Sequence, residues 1–242
     1  MVTMKKLITI LPVYFIITIQ VFSQISSLGI SNEFKQITRF GKMQTGFEGL
    51  QTYHSGNVKG SQFFNDSWSV GSVTTTNKEI FNNNYLFIYD KVRQELFLKP
   101  KDSDVVVLTD KSQIYSFSIF TDKMHNFQQA LLYDPNQKGN FFEVLVQSDK
   151  YTLLKLIKTT FEKANPNDIE KVKQGEFEDE FVDHVTYYIY HNNKLQKITL
   201  TENSIRKALK DQQSTVNDFF DTHENDEVTE DLLINLINQL KS

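Results

Sequence analysis

The apolar positions recur with a period of two between about residue 68 and residue 200, and with a period near 3.6 beyond it. The first pattern predicts strands and the second amphipathic helices. The strand pattern is densest over residues 141–158, FFEVLVQSDKYTLLKLIK. Two apolar runs there flank Ser148-Asp149-Lys150, a polar trio suited to a tight turn, so the stretch predicts a β-hairpin. A turn of two or four residues centred on the trio gives one facing. Phe142, Val144 and Val146 then share a side with Tyr151, Leu153 and Ile157, while Phe141, Leu145, Leu154 and Leu156 share the other with Glu143, Gln147, Thr152 and Lys158. One side is almost wholly apolar and the other mixed, which places the hairpin inside a sheet covered in part on both faces. A helical hairpin is the alternative; the short runs and the β-branched and aromatic content favour strands.

Further strands are predicted at residues 68–75, 85–90, 95–99, 105–109, 114–120, 128–133, 181–191 and 194–200. Turn sequences separate them: Asn82-Asn83-Asn84, Asp110-Lys111-Ser112, Asp134-Pro135-Asn136 and Asn192-Asn193, the last suited to a type I′ turn. Residues 161–180 interrupt the rhythm and predict a surface excursion with a short helix near 168–173. After Leu200, Ile205, Ala208 and Leu209 form one helical stripe. Val216, Phe219 and Phe220 form a second, and Leu232, Leu233, Leu236, Ile237 and Leu240 a third. Thr229 is a good N-cap, followed by Glu230 and Asp231 at the positive end of the helix dipole. Helices this short must dock to persist. Short loops between consecutive strands imply an antiparallel meander, and about nine or ten strands would curl strongly. The expected fold is mainly β (α+β): an antiparallel meander in a strongly curved sheet or incomplete barrel, with C-terminal helices packed on it. The expected organisation is a signal peptide at 1–23, a loop-rich lead-in at 24–66, the β domain at 67–200 and the helices at 201–242.

The signal peptide is read from Lys5 and Lys6, the uncharged apolar run of residues 7–21, and Val21-Phe22-Ser23 before a cleavage point near Ser23 or Gln24. An uncleaved anchor is the alternative, but the run is short for a span of roughly 20 residues. Six of the nine glycines fall in 24–66, which is why that stretch reads as loop-rich. The chain has no cysteine. That excludes disulfides, thiolate nucleophiles, Cys-based metal sites and a cysteine-linked lipid anchor. Aromatic residues make up 13% of the chain, which fits either a phenylalanine-rich core or an aromatic-lined cavity for an apolar ligand. The formal charge is −4, and residues 1–23 carry two lysines and no acid, so the remainder is −6. An acidic chain with no visible basic stripe argues against general nucleic-acid binding, so no nucleic-acid partner is expected.

Candidate chemistry is sparse. Asp179, Glu180, Asp183 and His184, with His191 across the hairpin, form the best polar cluster for a metal. Asp183 and His184 are adjacent, however, and on a strand they point to opposite faces, so the cluster reads as a solvated edge. Residues 221–225 lie between two helices and suggest a calcium loop. The match fails at His223, Asp226 and Leu232, where position six needs glycine and position twelve a bidentate acid. Asp149 and Lys150 read as turn residues. No nucleophile-elbow, dinucleotide or Walker A pattern occurs. Paired carboxylates for glycoside hydrolysis would come from distant strands, and the sequence is silent on them. No catalytic, cofactor-binding or metal residue is assigned, and no cofactor is expected.

Gly60-Ser61-Gln62-Phe63, then Trp68, Gly71 and Val73, then Tyr89-Asp90 closing a strand, recur with Phe141-Phe142, Tyr187-Tyr188 near Lys194, and a Leu/Ile-rich helical tail. Over residues 59–242 this set resembles a group of uncharacterised exported β-rich proteins of Bacteroidota, and Phe22-Ser23-Gln24 suits that group. The resemblance implies export and carries no activity. Trp68 reads as an aromatic anchor and Gly71 as a close backbone approach. The expected function is non-catalytic binding or interaction in the cell envelope, in the periplasm, at the outer-membrane surface or secreted. Its partner would be an envelope protein or an apolar ligand, and it would touch membrane only through the signal peptide. The alternative is a carrier of a lipid or other apolar small molecule in a curved-sheet cavity.

Overall fold

The computed structural model describes residues 41–44, 58–165 and 178–240. The signal segment, most of the 24–66 lead-in and the helix expected near 168–173 lie outside them. The described chain is mainly β, with two sheets and three C-terminal helices.

The main sheet runs β13 (Lys194–Ile198), β12 (Asp179–His191), β11 (Thr152–Glu162), β10 (Phe141–Gln147), β9 (Met124–Gln129), β8 (Ile114–Phe120), β3 (Gly71–Thr75), β4 (Ile80–Phe81). Every neighbour on this path is antiparallel. Short β2 (Val58–Lys59) adds a parallel pairing at Asp179 and Glu180. The path does not close, so the sheet is open. Its end strands are blunted, one by its two-residue length and the other by Lys194 and Lys197. At Gly71 an added Cβ would stand 2.0 Å from the Ser118 carbonyl oxygen, so β3 and β8 meet there only because the residue is glycine.

The expected single meander is interrupted. Between β4 and β8 the chain leaves the main sheet and builds a second one, ordered β1 (Gly41–Gln44), β7 (Val106–Thr109), β6 (Glu95–Pro100), β5 (Tyr85–Asp90). The lead-in, read as loop-rich, therefore supplies β1 and β2. Residues 63–69 run along the free side of β5 through Phe64 N–H to Tyr89 O (2.8 Å) and reciprocal bonds between Ser69 and Phe87. Buried Asn65 takes the place of missing backbone there: its amide donates to Phe87 O at 3.0 Å, and its carbonyl accepts from Tyr89 N–H at 3.2 Å. Trp68 sits half-buried against the Ile88, Phe97 and Val106 cluster, with Lys99 Nζ 5.4 Å from its ring.

A β-bulge at Leu145 corrects the facing expected for the central hairpin. Val146 pairs with Leu153 as expected, but across the bulge Val144 pairs with Leu154 and Glu143 with Lys155. Phe142 and Val144 therefore join Leu154 and Leu156 on the outward side, and Phe141 and Glu143 turn inward. The strand expected at 128–133 is also displaced. β9 ends at Gln129, and Ala130–Leu132 form a 3-10 turn. Asn192 and Asn193 both have positive φ, 49° and 57°, as the type I′ turn requires.

The inward face of the main sheet carries two covers. The second sheet lays Tyr89 against Phe117, Phe127 and Phe141, at ring separations of 5.0, 5.3 and 6.2 Å. Helices α1 (Glu202–Ala208), α2 (Gln213–Thr222) and α3 (Glu230–Gln239) bury Ile205, Val216, Phe219, Phe220, Leu233, Leu236 and Ile237 against Val146, Leu153, Ile189 and Ile198. Each such side chain contributes about 1.5–3 kcal/mol. Thr229 caps α3 by accepting from Leu232 N–H.

Candidate functional site

The outward face of the main sheet changes character along its strands. Val70, Phe120 and Met124 form a row beside the β8–β9 turn: Phe120 pairs with Met124, and its N–H donates to Val70 O at 2.9 Å. All three are exposed, at 47, 44 and 48%. The next row is Ser72, Ser118 and Asn126, and the one after it Thr74, Ser116 and Gln128. These side chains are short or flexible, so the face sinks into a groove of about 380 Å³, to which β10 adds Val144, Leu145 and Gln147.

The polar groups in the groove are tied together. The Ser72 and Ser118 hydroxyls lie 2.8 Å apart. Gln128 accepts from the Tyr133 hydroxyl and donates to Gln147 at 3.4 Å. Tyr133 reaches this face from the β9–β10 connection and packs edge-on against Phe142 and Tyr190. Burial, helped by the nearby Tyr115 and Tyr190, pushes its hydroxyl up to about 12, so it stays a neutral donor. Although 23% of the chain is charged, no residue lining this groove is.

A second polar arrangement occupies the seam between the two inward covers. Glu143 is 4% exposed. Its Oε1 is 2.6 Å from His125 Nδ1, and its Oε2 is 3.6 Å from Lys155 Nζ, with no hydrogen bond to that oxygen from the described residues. Lys155 also pairs with Glu230 at 2.9 Å, and the Tyr187 hydroxyl donates to Glu230 at 2.7 Å. Burial pushes the Glu230 carboxyl up, but the bonds from Lys155 and Tyr187 outweigh it and hold the group below its ordinary 4.5. At the other end His125 Nε2 lies 3.4 Å from Asp122, whose carboxyl the Thr121 hydroxyl, a backbone amide and His125 lower to about 2. Acidic and basic side chains alternate along this string, and it ties the start of α3 to the β8–β9 turn.

The acidic cluster noted in the sequence does not converge. Asp183 faces inward and pairs with buried Lys91 at 2.7 Å, also accepting from Thr159. His184 faces the other way, 2.8 Å from the Thr160 hydroxyl. Asp179 accepts from Ala164 N–H, and Glu180 pairs with Lys59. His191 contacts Asp211 at 3.0 Å and the Lys150 carbonyl at 2.7 Å. His223 folds back onto Phe219 O. Among the described residues no group of three potential ligands is placed to hold a metal ion. Sequence reasoning missed both the groove and the seam. The available signal was the alternation Ser116-Phe117-Ser118-Ile119, polar outward and apolar inward, repeated in Asn126-Phe127-Gln128.

No protein-family model matches the chain, and no curated protein and no solved structure is significantly similar to it.

Proposed function

We propose that this is an exported, non-catalytic binding protein of the bacterial cell envelope, with the outward face of β3, β8, β9 and β10 as its ligand surface. The observation that carries this reading is the contiguous exposed row Val70, Phe120 and Met124 set beside an uncharged polar groove. Contiguous apolar exposure of this kind marks interaction surfaces, whereas scattered apolar residues do not. The targeting pattern at residues 1–23 supports export. Strong curvature of the eight-strand run belongs to the same reading, since it would raise the rims of the groove. The groove and two further clefts, one beside Ser148 and His191 and one beside Phe64 and His125, are open and more polar than apolar, which fits a surface ligand better than the alternative, an apolar molecule carried in an enclosed cavity.

Two measurements test the reading. Fractionation of the native host should recover the protein outside the cytoplasm. Purified protein should co-sediment with a washed envelope preparation, and Ser118→Glu, which puts a long charged side chain into the groove, should abolish that co-sedimentation without changing the melting temperature. Recovery in the cytoplasm, or binding that Ser118→Glu leaves intact, refutes it.

A further inference from the structure

We infer that the groove takes a neutral carbohydrate chain, an inference that rests on the outward face being the ligand surface. Its polar groups are hydroxyls and carboxamides, from Ser72, Ser116, Ser118, Asn126, Gln128 and Gln147, set among apolar lining such as Val144 and Leu145. Each of these groups both donates and accepts. Sugar hydroxyls do the same, so the two sets match without any change of protonation. A charged ligand finds no counter-charge in the lining and would desolvate its own charge against neutral groups. An apolar ligand would strand these donors and acceptors, each left unpaired at a cost.

A peptide adding as a strand is also a poor fit. That mode needs an open sheet edge, and β3, β8, β9 and β10 each pair on both sides. The groove instead offers rings at its two ends. Phe120, two residues on from the lining Ser118 along the same face of β8, flanks one, and Tyr133, bonded to the lining Gln128, flanks the other, with Tyr115, 44% exposed, near it. Aromatic side chains supply broad apolar area at low entropic cost, which suits the apolar faces of pyranose rings. Ser116 and Phe120 lie on the same face of β8 four residues apart, about 13 Å at roughly 3.3 Å per residue, and Tyr115 stands just beyond Ser116 at a bulge, where the register passes from Thr74–Ser116 to Thr75–Ile114. That length accommodates a short oligosaccharide lying along the strand. The bonds from Tyr133 to Gln128 and from Gln128 to Gln147 hold the carboxamides in place before a ligand arrives.

Affinity electrophoresis of the purified protein tests this, using gels that contain soluble β-glucan, xylan or galactomannan, with parallel gels of polygalacturonate and chondroitin sulfate. Retardation is expected in at least one neutral gel and in neither anionic one. The double variant Asn126→Ala/Gln128→Ala should weaken it by about tenfold or more. Ser118→Glu should abolish it, with circular dichroism and melting unchanged in both variants. Unaltered mobility in every neutral gel, retardation only in the anionic gels, or retardation that both variants retain overturns the inference. If no neutral polymer retards the protein while Ser118→Glu still blocks envelope co-sedimentation, the ligand class is wrong and the surface stands, occupied by a protein or lipid. If Ser118→Glu spares co-sedimentation as well, both readings fall.

Discussion

The second sheet and the helical layer rest on the same inward face of the main sheet, one over Phe117, Phe127 and Phe141, the other over Leu153, Ile189 and Ile198. Their polar fastenings differ. At the second sheet the central fastening is an amide. Gln94, in the left-handed region at φ 56°, accepts from the Tyr89 hydroxyl (2.8 Å) and Phe141 N–H (3.3 Å), and donates to the Lys91 and Ile157 carbonyls (both 2.9 Å). Asn65 does comparable work at β5. Among the described residues an ion pair also reaches across, from buried Lys91 to Asp183, whose carboxylate is 42% exposed. The helices are held by carboxylates. Asp211 accepts from Tyr151 at 2.5 Å and meets His191, and Glu230 meets Lys155 and Tyr187. Neutral amides do not titrate and carboxylates do, so the two covers should respond differently to the same perturbation.

The largest effect is expected at the ring cluster. Tyr89→Ala removes the ring that touches Phe117, Phe127 and Phe141, and should lower the unfolding free energy by about 3–5 kcal/mol. Urea melts read by fluorescence and far-UV circular dichroism should shift together. Tyr89→Phe keeps the ring, leaves Gln94 still accepting from Phe141 N–H, and should cost only about 1 kcal/mol. Equal losses for the two variants would mean that the hydroxyl, not the ring, secures this cover.

Leu236→Ala, fully buried in the helical layer, should cost about 2–5 kcal/mol. Its site distinguishes the covers. Amides of α2 and α3 should lose hydrogen-exchange protection before those of β5 and β6, since cooperative units open separately when their contacts are separate. Simultaneous loss across both would merge the two covers into one unit and end the comparison.

The parts of this arrangement that were legible in the sequence are those whose partners lie close along the chain. β5 and β8 have the expected bounds because their apolar alternation is local, and Thr229 caps α3 because capping needs only the next three residues. What was hidden depends on distant pairing. β1 and β2 find partners at Thr109 and Asp179, far along the chain. The apolar run Ala130-Leu131-Leu132-Tyr133 drew the expected strand forward from Met124–Gln129, whose inward apolar anchor is Phe127. The bulge at Leu145 is one residue long and reverses every facing beyond it, so simple alternation puts Glu143 on the outward side and hides the seam around it. The groove draws Ser72, Ser118 and Asn126 from three strands, and only their register makes them neighbours.

A smaller effect should follow from Thr229→Ala, which removes the side-chain acceptor for Leu232 N–H and should cost about 1 kcal/mol. The loss should be confined to α3: Leu233 and Leu236 amides should exchange faster while Phe97 and Leu98 amides keep their rates. A change that reached β6 would show the helical layer bracing the second sheet.

The smallest effect in energy gives the sharpest contrast, because its sign differs between the covers. Burial pushes the Asp211 and Glu230 carboxyls up, but their hydrogen bonds and neighbouring cations outweigh it, so both lie below their ordinary 3.8 and 4.5 in the folded protein. Folding therefore favours their ionised forms. Their contribution is present above the ordinary values and is lost as pH falls through the lowered ones. Each is a partly exposed interaction of about 0.2–1 kcal/mol. Asp90, at the second-sheet turn, behaves oppositely. Burial raises its carboxyl above 3.8 despite the Arg93 and Val92 amides, so folding favours the protonated form, and acid relieves a cost there. Moving from about pH 6 to about pH 3 should then weaken protection in α2 and α3 more than in β5 and β6, after correction for intrinsic exchange. Asp211→Asn should flatten the helical response at the Tyr151 end and leave the Asp90 turn untouched. Equal acid sensitivity in both covers would show that the carboxylates at the helices are spectators and that aliphatic packing alone holds the layer down.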